Sequence, residues 1–407
     1  MKLAIDASRL TIELETLATY SDAPAPAVTR VVYSDPDLRA RSYVKSLFAD
    51  AGLAIREDPV GNTFVRWEGS DPTLPAIATG SHIDAIPHAG RYDGTVGVLG
   101  GLEAIRALQR SGVRPRRSIE LIVFTAEEPT RYGIGCFGSR LLAGVLDPKA
   151  LSGLDEHRCA AGFQGDVAGV RLPRDHYAAF VELHIEQGPL LERAGVPLGI
   201  VTAIAAPATW HITIEGEGGH AGAVLMPDRH DAFCAAAEVV LAVERCANST
   251  AAIDTVGTIG VCNVFPGAVN SIPSGVRLEM DVRDIDLARR DEVLRKIEQC
   301  CVDIARRRGV QIRKNVINAD APATCDPAVV NVLADAADSN GLAYQKMVSR
   351  AYHDSLFMAR IAPTAMLFIP CRAGISHRPD EYASPEGIAA GALVLAEALA
   401  TLADATA

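Results

Sequence analysis

Short apolar runs of strand length alternate with segments of helical period through the first two hundred residues. No other feature constrains the fold as much. Helical spacing over residues 35–52 (Tyr43, Leu47, Phe48) predicts a helix that stops at Gly52, and residues 60–67 and 74–80 read as strands. A Gly-rich turn over 90–94 precedes a helix over 97–111, and SIELIVFT, 118–125, reads as a buried strand. Strands alternating with helices of this length require a parallel or mixed sheet with helices on both faces. Such sheets collect function at the carboxyl ends of their strands. Near Pro207 the rhythm changes. TWHITIE, 209–215, alternates with period two; a helix over 229–244, strands over 253–261 and 276–282, a helix over 288–307 and a strand over 310–316 follow. That is a split β-α-β-β-α-β unit. From Pro322 the first pattern resumes, with a helix over 327–340, a strand over 364–369 and a closing helix over 385–402. The fold class expected is therefore α/β. The larger domain, 1–205 and 322–407, would have a mixed central sheet flanked by helices. An α+β (ferredoxin-like) domain, 206–321, would be inserted into it. A chain of 407 residues is too long for one ordinary core, which agrees with two domains.

Composition narrows the function classes. With 49% hydrophobic and 22% charged residues the chain is globular rather than disordered. Lys+Arg 39 against Asp+Glu 50 leaves a net charge of −11, which argues against nucleic acid as a partner. Residues 1–14 place Asp6, Arg9 and Glu13 among the apolar positions and do not read as a signal sequence. No run is expected to supply the roughly 18 apolar residues that cross a bilayer. The nine cysteines are scattered and odd in number, so a disulfide framework is not expected, and Cys300-Cys301 reads as a pair of partly buried free thiols. A cytoplasmic protein is the expectation.

The histidines and acids make the sequence specific. His82 and Asp84 stand in GSHID beyond an apolar strand, Asp93 in the turn GRYDG, and Glu127 and Glu128 in FTAEEPTRYG after the next strand. His184 follows a third strand in VELHIEQG, and His377 follows a fourth turn region in GISHRPDEY. Each group sits at a strand exit, so one fold can bring all five to a single rim. Three imidazoles with two or three carboxylates form a natural binuclear site for borderline divalent metals, with a bridging carboxylate between the ions. A lone strand-end histidine would mean little, and an isolated Glu-Glu pair nothing; the ordered set carries the signal. His88, His157, His176 and His230 lack such company and read as surface or loop residues, as does His211, which faces outward on a strand.

These segments, with GEGGHAGAVLMPDRHDA, resemble the dinuclear amidohydrolases of the aminoacylase/carboxypeptidase metallopeptidase family along nearly the whole chain. Within it they are similar to the ureido branch. GAVNSIPSG, SRAYHDSLFMARIAP and FIPCRAGISHRPDEYASPE look most like the (S)-ureidoglycolate amidohydrolases, then the N-carbamoyl-L-amino-acid hydrolases and allantoate amidohydrolases. The resemblance implies hydrolysis of the ureido C–N bond of a small carboxylate, (S)-ureidoglycolate first, to glyoxylate, ammonia and carbon dioxide. A dipeptidase or aminoacylase, or an inert ligand-binding relative, are the readings outside the ureido class. By the same resemblance His82 and His184 hold one metal with Asp93 bridging, and Glu128 and His377 hold the second. Glu127 is the general base and Asp84 orients His82. Two divalent ions per subunit are implied, Mn²⁺ favoured, Zn²⁺ or Co²⁺ possible. His220 is implied to reach the partner's active site in a homodimer formed through 206–321, which serves as lid and dimerisation domain. Asn270 and Arg283 bind substrate from the insert, and Gln187, Tyr352 and His353 line the pocket. Read without the resemblance, Arg283 is an edge-strand ion pair with Asp281 or Asp284, and Asn270 a turn residue.

Overall fold

The computed structural model describes residues 3–405; the expected catalytic domain's end residues 1, 2, 406 and 407 lie outside the described residues. The chain forms two compact units, one running through Thr202 and resuming over Thr324–Ser349 and from His353, the other comprising Ala203–Ala323 and Arg350–Tyr352.

In the first unit the described residues form a nine-stranded mixed sheet. Its centre is four parallel strands in the order Thr364–Ile369, Tyr177–Ile185, Ala76–His82, Ile119–Phe124. Antiparallel strands flank them, Leu198–Ile204 on one side and Thr63–Trp67 with Ala54–Glu57 on the other. The four central strands are buried along nearly their whole length, which is why they read as continuous apolar runs. Helix Thr95–Arg110 connects the strands ending at His82 and beginning at Ile119 and lies against the sheet. It approaches closely because Gly97 has no side chain: a Cβ there would stand 2.4 Å from the Leu183 carbonyl oxygen.

The element boundaries fall close to the sequence expectation. The strand 364–369 and the helix 385–402 coincide with it, and the helix expected over 97–111 starts two residues earlier, at Thr95. Several strands were not anticipated, among them Ala54–Glu57, Leu198–Ile204 and Tyr344–Ser349, and Ala85–Ala89, which pairs with Val28–Arg30 between GSHID and the Gly-rich turn. His82 closes its strand rather than following it, and His184 is the penultimate residue of its own. One helix, Pro385–Leu402, is long and apolar enough by length and composition to cross a membrane, which corrects the expectation that no run comes near. Half of it is buried within the protein, where it packs on helices Thr95–Arg110 and Pro327–Ser339. All nine cysteines are free.

The second unit contains a four-stranded antiparallel sheet in the order Val256–Phe265, Gly275–Asp284, Ala206–Glu215, Gln311–Ala319. The alternation Val276, Leu278, Met280, Val282 faces helices Ala232–Asn248 and Leu287–Arg308 and makes one core with Ala235, Val239, Val293 and Ile297. The intervening residues, among them His211, Glu279 and Arg283, occupy the other face.

Candidate functional site

Asp93 stands where the carboxyl ends of the central strands meet. Its Oδ1 lies 3.5 Å from His82 Nε2 and 3.1 Å from His184 Nε2. Its Oδ2 lies 3.2 Å from His377 Nε2, which is in turn 3.2 Å from Glu128 Oε1. One carboxylate is thus shared between two clusters, His82/Asp93/His184 and Asp93/Glu128/His377, the ligand atoms of each lying within 4.8 Å of one another. The Nδ1 atoms of His82 and His184 face the backbone carbonyls of Asp84 (3.1 Å) and Ile185 (2.8 Å). With Nδ1–H donating to those carbonyls, each ring is oriented so that Nε2 is the atom that would ligate a metal once the ion takes the place of the proton that Nε2 shares with Asp93. A mixed imidazole and carboxylate donor set arranged this way fits divalent metal.

The charges explain how the side chains hold together. Burial raises the Asp93 carboxyl, yet hydrogen bonds from His184, His377 and His82 outweigh it and hold the group well below the usual range. Burial pulls His82 down, but Glu127, Asp84 and Asp93 raise it well above the ordinary imidazole value. His377, hydrogen-bonded to Asp93 and Glu128, is pushed up to about 11. Around this core Gln187 Nε2 donates to Asp93 Oδ2 at 2.7 Å and Ser376 Oγ donates to the same oxygen at 2.9 Å. Glu381 accepts from the Tyr92 and Asp93 backbone N–H groups and shares the single Ser376 hydroxyl proton with Asp93, so the turn carrying Asp93 is fixed from outside.

The Glu127-Glu128 pair leaves its strand through Ala126, whose φ of 54° turns the chain sharply. Asp84 receives the turn: its carboxylate accepts the Glu127 N–H at 3.2 Å and the Glu128 N–H at 3.0 Å. Burial raises the Glu127 carboxyl well above the usual range, with His82 opposing and Glu128, Asp354 and Asp93 reinforcing. Its Oε2 lies 3.8 Å from His82 Nε2, so the carboxylate borders the first cluster.

Residues 78–401 match the model of peptidase family M20/M25/M40. The chain belongs to that family. This M20 chain is 53% identical over 416 residues to ureidoglycolate hydrolase of Arabidopsis thaliana, covering 98% of this chain and 87% of that one. It is 36% identical over 409 residues to an N-carbamoyl-L-amino-acid amidohydrolase of a Pseudomonas species, covering 98% of each. The crystal structure of AtUAH in complex with (S)-hydroxyglycine matches with a TM-score of 0.90 at 53% identity, covering 98% of both chains. The family resemblance read from the motifs is borne out.

Within the M20 chain the other expected residues lie as follows. Gln187 turns to Asp93 and supports the carboxylate. His353 is buried, its ring centroid 4.5 Å from that of His184 and its Nε2 3.1 Å from Ser349 Oγ. Arg283 pairs with Asp281 (Nε to Oδ1, 2.8 Å) and lies over the Tyr352 ring; this is the ion pair foreseen without the resemblance, but its strand is not at an edge, since Gly275–Asp284 runs between Val256–Phe265 and Ala206–Glu215. Asp84 holds the turn of Glu127 and Glu128 with its carboxylate and steadies His82 chiefly through its carbonyl. His220 is exposed on the short strand Gly219–His220, paired with Ser271–Ile272 and next to Asn270. Gly222 N–H donates to His220 Nδ1 at 3.1 Å, so Nε2 carries the proton and is presented as a donor. Sequence reasoning missed Glu381, Ser376 and Cys136. The first two flank His377 in GISHRPDEY, and that adjacency was the available signal.

Gly94 tests how tightly the cluster is built. Its φ is +65°, and a Cβ there would stand 2.5 Å from the His82 ring. Gly94→Ala should lose metal and be less stable, by elemental analysis and thermal unfolding. Gly112→Ala is the control, with φ +79° and nothing within 4 Å; it should lose stability of about 1 kcal/mol and keep its metal. Full metal content in Gly94→Ala would show the cluster to be looser than these contacts imply.

Proposed function

We propose that the chain hydrolyses the ureido C–N bond of (S)-ureidoglycolate. The single observation that supports the chemistry is the Asp93 carboxylate shared between two imidazole clusters with Glu127 at their edge. The substrate rests on the likeness to ureidoglycolate hydrolases and to AtUAH, crystallised with (S)-hydroxyglycine and with glyoxylate. Water adds to the ureido carbonyl; ammonia and carbon dioxide leave, and the remaining (S)-hydroxyglycine breaks down to glyoxylate and a second ammonia. His82, His184 and Asp93 would hold one divalent ion, and Glu128, His377 and Asp93 a second, Mn²⁺ favoured, supplying Lewis acidity that polarises the carbonyl and makes water acidic near neutral pH. Glu127 takes the proton from the attacking water at Oε2 and returns it to the departing nitrogen. Arg283 would turn from Asp281 to the substrate carboxylate, a bidentate partner of the same shape.

We also propose that the chain works as a homodimer through residues 206–321. His220, with its Nε2–H directed outward, would stabilise the developing oxyanion in the neighbouring copy, beside Asn270.

Chelated protein should be inactive on (S)-ureidoglycolate, and Mn²⁺ should restore turnover; of a panel with N-carbamoyl-L-amino acids and allantoate, (S)-ureidoglycolate should have the highest kcat/KM. Activity in protein shown to be metal-free by elemental analysis would end the reading of the centre, and preference for an N-carbamoyl amino acid would replace the substrate. Glu127→Gln should retain its metal and lose on the order of 10²–10⁴ in kcat. If it loses a metal and recovers with excess ion, the roles of Glu127 and Glu128 are exchanged. Mixing Glu127→Gln with His220→Ala under subunit exchange should restore activity towards about a quarter of wild type, because each mixed dimer regains one intact site. No recovery, with exchange confirmed, would place His220 within its own chain's site or outside catalysis.

A further inference from the structure

Glu127 is gripped by one residue that the reaction as written does not use. Cys136 is fully buried, and its Sγ lies 3.2 Å from Glu127 Oε1, as donor. Its backbone holds the same residue, with the Cys136 N–H donating to the Glu127 carbonyl at 2.7 Å. The two following N–H groups, of Phe137 and Gly138, pair with the carbonyls of Ala126 and Thr125, so the segment lies alongside the turn that presents Glu127. Cys136 has φ 55°, which aims its side chain at the carboxylate from outside the regular helix Phe137–Leu142.

The two carboxylate oxygens of Glu127 therefore face different partners. Oε1 meets the thiol, and Oε2 faces His82 Nε2. The last torsion of a glutamate side chain is broad and nearly two-fold, so a carboxylate at this position has little intrinsic orientation. One directional donor on one oxygen removes that freedom and leaves the other oxygen aimed at the clusters. Burial first, and then the Glu127 charge, raises the thiol well above its usual range, so it keeps the proton it donates. We infer that Cys136 is a positioning residue for the general base, fixing the rotation of the Glu127 carboxylate so that one oxygen stays turned to the attacking water. The inference rests on Glu127 acting as the base, as proposed above.

The test is a set of substitutions read on purified, Mn²⁺-loaded enzyme. Cys136→Ser keeps a donor of similar shape and should retain kcat within about two-fold. Cys136→Ala, and Cys136→Gly as a second donor-free variant at home at positive φ, should each lower kcat by about ten-fold. KM and metal content should stay within about two-fold of wild type in both. In a Glu127→Gln background the same two changes should have no further effect on the residual rate, a non-additivity that a merely structural residue would not produce. Undiminished kcat in the donor-free variants, a serine variant as slow as the alanine, or a full additional loss in the Glu127→Gln background would overturn the inference. A Glu127→Gln enzyme as fast as wild type would instead remove the base assignment on which it stands.

Discussion

The structure depends on the burial of one carboxylate between two sets of imidazoles. Asp93 has few options in that position: uncompensated, a buried carboxylate protonates and loses the charge that makes it useful. Here each oxygen has its own cationic or donor partners, with His82 and His184 at one and His377, Gln187 and Ser376 at the other. The same side chains are of the types that ligate a divalent ion, so folding and metal binding would draw on the same contacts. Glu381 extends the logic outward by holding the backbone on which Asp93 sits.

The central sheet supplies the positions. Parallel strands point their carboxyl ends one way, so residues far apart in the chain arrive at one edge without long loops. His82 and His184 are on adjacent strands, the Glu127-Glu128 turn follows the strand on the far side of His82, and His377 comes after the strand next to His184. Asp84 links two of these exits, because its carboxylate caps the turn that follows the neighbouring strand. Loss of that carboxylate would leave two buried N–H groups unpaired and free the Glu127-Glu128 turn, a larger disturbance than loss of one histidine contact.

The second unit solves a different problem. Its helices cover one face of its sheet with an apolar alternation, and the polar face carries Arg283 on the same strand as its ion-pair partner Asp281. In the proposed reaction a substrate carboxylate would compete with Asp281 for a guanidinium already oriented for carboxylates. The His220 ring is held by one backbone N–H, that of Gly222, at Nδ1.

Periodicity alone was enough to place most strands and helices, and the order of acids and histidines at strand exits was enough to point to a metal site, while the part of each residue in it came with the family resemblance. Both are local signals: a buried strand must be apolar along its length, and a ligand must be of the right type at the point where its strand ends. The strand Ala85–Ala89 escaped notice because its partner, Val28–Arg30, lies far away in sequence and neither has a strong pattern. The supporting residues were hidden for the same reason. Nothing local distinguishes Gln187, His353 or Cys136 from a pocket residue, a second ligand or a core thiol; each acquires its role from a group on another element. Residue types and their order came from the sequence, whereas which atom of each side chain faces which neighbour was decided only when the tertiary structure brought those elements within hydrogen-bond range.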